Sequence, residues 1–275
     1  MVEPASADFA YRAYQGDGVE DRRKRMISEA VCSLIVNGRE WVTFFCTPSD
    51  LDHLAIGFLF DAGVIESADE VEDVRVTGGP QNLEALVEVS LHRKDVTLPS
   101  RSTLTTGCGG GLTFYDIAAK RSPLASDREV TPAQVYEAMS QLMAANAELH
   151  REVGGFHSAA LSDGRELLVV AHDVGRHNTV DKIAGAALCR GIATRDRLLV
   201  TTGRISTEML AKAARLEAPV VISRNSPTGL ATNLVREWRI TIAGYVRGQR
   251  MHVYSGEERI VSPLAQVSGI GSEHP

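Results

Sequence analysis

Across its 275 residues the chain lacks any run of roughly 18 consecutive apolar residues, the length a membrane-spanning helix requires. Its start, Met1 to Ala10, has no basic segment followed by an apolar one, so no secretory signal is expected. Cysteine is scarce: Cys32, Cys46, Cys108 and Cys189 are scattered, without a C-x-x-C pair. That argues against a disulfide framework or a thiolate zinc site and for free thiols in a reducing compartment. Positive charge is not in excess either. Lys plus Arg number 29 against 35 Asp plus Glu, a net charge of −6, which argues against the basic face of a sequence-independent nucleic-acid binder. The phosphate loop G-x-x-x-x-G-K-[ST] is absent, and Gly107-x-Gly109 leads to Leu112 where a dinucleotide fingerprint needs its third glycine. Neither H-E-x-x-H nor the H-x-E with P-C-x-x-C of zinc deaminases occurs; His157-Ser158-Ala159 lacks the glutamate, so no metal site is expected. What is there, 44% hydrophobic and 23% charged residues without internal repeats, is the composition of a globular α/β protein, expected in the cytoplasm.

Patterning then sets out the elements. Residues 1–25, with Gly16, Gly18 and the charged run Glu20 to Arg25, read as a solvated, flexible arm. Ala30 to Val36 and Glu40 to Cys46 are β-rich runs joined by Asn37-Gly38, both of which tolerate positive φ. Thr47-Pro48-Ser49-Asp50 offers a cap and a first-turn proline to a helix with Leu51, Leu54, Ala55, Phe58 and Leu59 on one face. Val71 to Val76 and Ala85 to Leu91 alternate as strands. Thr105 to Gly111 is too glycine-rich for a regular element, and Thr131-Pro132 opens an amphipathic helix. Beyond residue 155, strand runs at 156–162, 166–172, 198–202, 219–223, 239–244 and 251–254 are interspersed with helical runs at 178–189, 207–216 and 227–237. That order predicts a mixed sheet with helices on its faces. The expected layout is an arm (1–25), a smaller α+β domain (26–104), a larger α/β domain holding the Cys108 loop (105–262) and a loose tail (263–275).

Cys108 stands out first. Gly107 and Gly109-Gly110-Gly111 leave neighbouring amides open and the sulfur unshielded. Such amides favour a thiolate, the form a covalent sulfur carrier or nucleophile needs. Cys32, Cys46 and Cys189 sit among apolar neighbours and read as buried, structural thiols. Four polar runs fall where strands end. They are His172-Asp173-Val174-Gly175-Arg176-His177-Asn178, Thr201-Thr202-Gly203-Arg204-Ile205-Ser206-Thr207-Glu208, Ser226-Pro227-Thr228, and Gly244 to Arg250. In α/β sheets ligands bind at such strand ends, where helix N-termini favour anions. Helix capping and an Arg176–Asp181 pair account for one or two residues of the first run, not the set. Arg176, Arg204, Arg247 and Arg250 are candidate phosphate ligands, Tyr245 a stacking surface, and His177 an acid or base. Together the four junctions predict a cleft for a phosphorylated, ring-containing ligand.

Residues 105–111, 156–160, 173–182, 203–209, 226–231 and 244–254 resemble the formate dehydrogenase accessory sulfurtransferases, the FdhD family. Asp173-Val174-Gly175-Arg176-His177-Asn178-Thr179-Val180-Asp181-Lys182 carries most of the resemblance. Gly203-Arg204-x-Ser206-x-Glu208-Met209 and Gly244-Tyr245-Val246-Arg247-Gly248 add to it, and the similarity covers about residues 26 to 260. The resemblance implies a cytidine-deaminase-like α/β/α larger domain without the deaminase zinc. It implies sulfur transfer from a cysteine desulfurase, through a persulfide on Cys108, to the molybdenum bis(molybdopterin guanine dinucleotide) cofactor of formate dehydrogenase or a related molybdoenzyme. It places that cofactor at Tyr245, Val246, Arg247, Gly248, Gln249 and Arg250, with Arg204, Arg176, His177, Asp173, Ser226 and Thr228 completing the expected site. A homodimer is the default assembly. Two positions depart from the family pattern: Gly111 stands where a second loop cysteine is common, and His172 where an acidic residue is usual. The first departure leaves open an alternative, a non-catalytic chaperone that binds the same cofactor. A zinc-dependent hydrolase is the third and weakest reading.

Overall fold

The turn Asn37-Gly38 takes positive φ at both residues, 49° and 77°, and closes a hairpin as its sequence predicts. The computed structural model describes residues 5–79, 84–99, 103–104, 112–113 and 122–261. The Cys108 loop and the tail 263–275 lie outside the described residues.

In chain order, β1 (Ser6–Gln15) and β2 (Gly18–Ile27) form a separate hairpin. The expected solvated arm is therefore paired strand, although almost all of it is exposed. Next come β3 (Ala30–Val36), β4 (Arg39–Cys46), α1 (Leu51–Asp61), β5 (Val71–Thr77) and β6 (Glu84–Leu91). They make a four-stranded sheet in the order β4-β3-β6-β5, with β3 and β6 parallel. The two-residue strands β7 (Thr103–Leu104) and β8 (Leu112–Thr113) pair antiparallel, so they bracket the Cys108 segment in sequence.

The remaining elements are α2 (Pro132–Glu152), β9 (His157–Ser162), β10 (Leu167–Asp173), α3 (Arg176–Cys189), β11 (Leu198–Thr201), α4 (Thr207–Arg215), β12 (Val220–Ser223), α5 (Gly229–Trp238), β13 (Thr241–Arg247) and β14 (Arg250–Ser255). The six-stranded sheet runs β10-β9-β11-β12-β13-β14. β11, β12 and β13 are parallel, while β9 and β14 run against their neighbours. The C-terminal ends of β10 to β13 thus share one edge, joined there by the N-terminal ends of β9 and β14. A ligand site at the carboxyl ends of the strands depends on this arrangement.

Alternation along the central strands splits their side chains between two cores. Val200, Val220, Ile222 and Ala243 face α2 through Val135, Met139 and Leu142. Leu199, Val221 and Ile242 face the opposite layer, where residues of α1, α3, α4 and α5 pack in one hydrophobic cluster. That cluster continues without a break into Leu34, Val36, Val87 and Val89 of the four-stranded sheet. α2 starts as expected, with a capping box in which the Thr131 side chain accepts from Gln134 N.

α1 begins differently from expectation. Pro48 precedes the helix instead of sitting in its first turn, and Asp50 is its N-terminal flank, in left-handed conformation with no side-chain cap. α1 is buried nearly all round because it lies against α3. A Cβ on Gly57 would overlap the carbonyl oxygen of Asp181, and one on Gly185 would overlap that of His53. The two helices approach closely only because each has glycine at the crossing. Of the thiols expected to be buried, Cys32 and Cys46 are, but Cys189 is exposed. It is the last residue of α3.

Candidate functional site

Asp173 ends β10 with none of its surface exposed, and both its oxygens are used. Oδ1 accepts from Gly175 N at 2.8 Å and from Asn178 Nδ2 at 2.9 Å. Oδ2 accepts from Thr47 N at 3.0 Å and stands 2.7 Å from Lys182 Nζ. Lys182 Nζ also donates to the carbonyls of Thr47 at 3.0 Å and His172 at 3.3 Å. Asn178 Nδ2 reaches the carbonyl of Phe45 at 2.9 Å, and Val174 N donates to Thr47 Oγ1 at 3.1 Å. Folding therefore accounts for more of this run than capping could. Asp173, Asn178 and Lys182 weld the strand-to-helix loop to the end of β4, and Asp181 pairs with Lys212 at 2.7 Å in place of the expected Arg176. Thr47 was missed as a member of this group. Its sequence context suggested only a helix cap.

Arg176 and His177 open α3 and are nearly buried. Arg176 lies across the next junction: a Cβ on Gly203 would come within 2.9 Å of its Cβ. His177 Nε2 stands 3.0 Å from Glu208 Oε2 and 3.4 Å from Ser206 Oγ. Burial, then the charges of Arg176 and Lys212 and the nearby His157, push the His177 pKa down to about 2. The imidazole therefore meets Glu208 uncharged. Burial and Arg176 also lower His157, at the start of β9. Burial and the Lys182 charge hold His172 down at about 4, with its Nδ1 2.8 Å from Ser158 Oγ. Glu208, Ser158 and Thr202 were not among the expected site residues. Glu208 had a signal, since it lies in the Arg204-x-Ser206-x-Glu208 run.

These buried neutral histidines give the fold an acid-side weakness. In the unfolded chain their pKa values return to the ordinary 6.5. As pH falls below 6.5 the unfolded chain binds protons that the folded chain refuses, so stability present above pH 6.5 is lost progressively toward pH 4. His172 alone is expected to contribute roughly 3 kcal/mol of this loss. Urea midpoints measured between pH 7.5 and 4.5 should fall more steeply for the wild type than for His172→Gln. Parallel profiles would remove His172 as the cause.

The loops after β11 and β12 are stitched together. Ser223 Oγ donates to the carbonyl of Gly203 at 2.6 Å and Asn225 Nδ2 to that of Thr202 at 2.7 Å. Ile205 N donates to the carbonyl of Ser226 at 3.1 Å, and Thr228 N to that of Ile205 at 2.9 Å. Ser206 caps α4 by accepting from Met209 N. Arg204 is exposed, while Ser226 and Thr228 are half-buried. Asn225, also missed, binds the third loop too: its carbonyl accepts from Tyr245 N at 3.2 Å.

Tyr245 holds φ at 52°, a left-handed conformation that is uncommon for a non-glycine residue. It is 40% exposed, with its ring edge-on to His252 at 5.4 Å. The Arg247-Gly248-Gln249-Arg250 turn is exposed, with Gly248 at φ 55°. A cavity of about 530 Å³ lies beneath it, lined by Arg224, Val246, Arg247, Gly248 and Gln249 and walled by Tyr136, Glu137 and Ser140 of α2. The Val246 side chain belongs to the core on that side. Arg176, His177, Arg204, Ser226, Thr228, Tyr245 and Arg250 do not line this cavity. They stand on the same sheet edge, and Asp173 faces inward behind it. The arrangement offers cationic groups on successive strand ends, with a roomy cavity at the β13 end. Among the described residues no three of His, Cys, Asp and Glu assemble as a metal-ligand set, and no helix is long and apolar enough to cross a membrane.

Residues 27–261 match the profile described as the FdhD/NarQ family. A protein of Staphylococcus aureus (strain MRSA252) named sulfur carrier protein FdhD is 34% identical over 255 residues, covering 90% of this chain and 94% of its own. Its counterpart in strain JH9 is 33% identical over the same length. A crystal structure assigned as a formate dehydrogenase accessory protein from Desulfotalea psychrophila superposes with a TM-score of 0.75 at 26% identity, covering 94% of this chain and all of the other.

Proposed function

The chain belongs to the FdhD/NarQ family, and from that premise we propose that it is a sulfur carrier acting as an accessory protein to formate dehydrogenase. In this reading Cys108 accepts sulfur from a cysteine desulfurase. Its thiolate attacks the outer sulfur of the donor's persulfide, the donor's S–S bond breaks, and the donor leaves as a thiolate while Cys108 becomes the persulfide. The substrate that receives the sulfur is the molybdenum bis(molybdopterin guanine dinucleotide) cofactor of formate dehydrogenase or a related molybdoenzyme.

The observation that carries the reading is the shared edge of strand ends bearing Arg176, Arg204, Arg224 and Arg247. Guanidinium forks suit the pyrophosphates of such a dinucleotide, and the cavity under the Arg247 turn has room for a ring. Tyr245, at the same edge, is an exposed stacking surface. Arg250, Gln249, Ser226 and Thr228 supply further polar contacts in this reading, and His177, uncharged beside Glu208, holds the α3 and α4 junctions together instead of serving as the expected acid or base. We read the six-stranded sheet, with α2 on one face and α3 to α5 on the other, as a cytidine-deaminase-like frame. We place the chain in the cytoplasm, where desulfurase and acceptor enzyme meet it.

The test is intact-protein mass spectrometry after incubation with a cysteine desulfurase and cysteine. The wild type should gain one sulfur atom, removable by reductant, and Cys108→Ser should gain none. Uptake by the serine variant would overturn the assignment of Cys108. Gly111 gives the alternative, a cofactor chaperone without sulfur chemistry, its footing, because this loop has no second thiol. Guanosine diphosphate binding without any sulfur uptake by the wild type would favour it.

A further inference from the structure

α2 carries none of the residues that the strand-end pattern assigned to the ligand, yet it forms one wall of the cavity under the Arg247 turn. Tyr136, Ser140 and Met143 recur at three- and four-residue spacing, so they lie on one stripe of the helix. The stripe beside it, with Val135, Met139 and Leu142, is buried against the sheet. Tyr136 and Met143 are half-buried at the border of that core, and Met139 and Val246, both buried, line the cavity beneath them. Across the cavity stands the Arg247–Gly248 turn. A Cβ built on Gly248 meets nothing within 4 Å, so the space beside the turn is free.

The cationic groups reach the same space. Val220 and Ile222 of β12 face α2, and Arg224 continues that alternation past the strand end into the cavity. Neither Arg224 nor Arg247 forms an ion pair or a side-chain hydrogen bond among the described residues. The cavity therefore joins an aromatic and thioether wall to two guanidinium groups that no carboxylate of the described fold engages. Tyr245 is outside this lining, and its ring meets His252 instead.

We propose that Tyr136 holds the purine ring of the bound nucleotide, with Met143 beside it, while Arg224 and Arg247 hold the diphosphate. The inference rests on the cofactor reading above and adds the place of the ring, on the α2 side of the sheet edge. A tyrosine has only two side-chain torsions, and packing against the core already restrains those of Tyr136, so a ring can stack on it at little further cost in entropy. Methionine adapts to an irregular outline, and its sulfur makes favourable contacts with aromatic rings. Guanidinium forks match phosphate oxygens in pairs. The volume of about 530 Å³ suits a nucleotide, since ligand cavities commonly span about 300–1,000 Å³.

Titration calorimetry on the full chain tests the assignment, with GDP as one probe and inorganic pyrophosphate as the probe that has no ring. The wild type should bind GDP more tightly than pyrophosphate. Tyr136→Ser should weaken GDP about 5- to 150-fold, the range expected for one lost base–aromatic stack, and leave pyrophosphate unchanged. Tyr136→Phe keeps the ring and should match the wild type with both probes. Arg224→Gln should weaken both. Unchanged GDP affinity in Tyr136→Ser would overturn the proposal. So would an equal loss of GDP and pyrophosphate in that variant, because a distorted cavity, not a missing stack, would then be the cause. Either result with GDP still bound by the wild type sinks the ring assignment alone. A wild type that binds neither probe would remove the cofactor reading with it.

Discussion

Replacing Gly185 with alanine is expected to destabilise the protein by about 3 kcal/mol or more, although the same change in an ordinary helix interior stabilises by about 1 kcal/mol. The sign reverses because the added methyl would occupy the place of the His53 carbonyl oxygen, a backbone atom of α1 that has no rotamer to change. Gly57→Ala should behave alike, since its methyl meets the Asp181 carbonyl of α3. Relief requires the helices to part. α3 would then drag Arg176 and His177 off the sheet edge, so sulfur delivery should suffer even in whatever fraction still folds. Gly229, the first residue of α5, has open space around a built Cβ, and Gly229→Ala is the control. Urea unfolding of the three variants decides the matter. Gly185→Ala and Gly57→Ala as stable as Gly229→Ala would show that the helices do not cross so closely.

Loss of the Asp173 carboxylate should be comparably damaging. Asp173→Ala strands a Lys182 ammonium that is 1% exposed and removes the acceptor for Thr47 N, Gly175 N and Asn178 Nδ2. An uncompensated buried charge of this kind costs about 3–5 kcal/mol. Lys182→Met should cost less, because Asp173 keeps its three nitrogen donors and the methionine fills much of the same space. Adding Lys182→Met to Asp173→Ala should recover part of the loss, since the stranded charge goes with it. Thermal or urea unfolding of the two single variants and the double variant reads this coupling. Asp173→Ala within about 1 kcal/mol of wild type, the size of an ordinary surface effect, would mean that the carboxylate carries no such burden.

Asn37-Gly38 and Thr131-Pro132 marked their elements because turn and cap chemistry is local: the residues that decide the conformation are neighbours in the chain. The same holds for the strand-to-helix junctions at 173–176, 201–207 and 223–229, and hence for the edge that gathers the arginines. The hairpin of residues 6–27 was hidden by its charge, which outweighed the alternation of Phe9, Tyr11 and Ala13 on one face.

The sequence by itself determined the family, the order of the main elements beyond residue 30 and which residue types stand at the strand ends. Only the tertiary structure decided which of those polar groups face the ligand edge and which are consumed in the fold. Asp173 and Arg204 look equally available in the sequence. One is fully buried against Thr47, from a segment 126 residues away, and the other is exposed. The contribution of α2 to the cavity and the closeness of α1 to α3 have the same origin. A polar side chain's solvation and partners are set by chain segments remote in sequence, and local pattern carries no record of them.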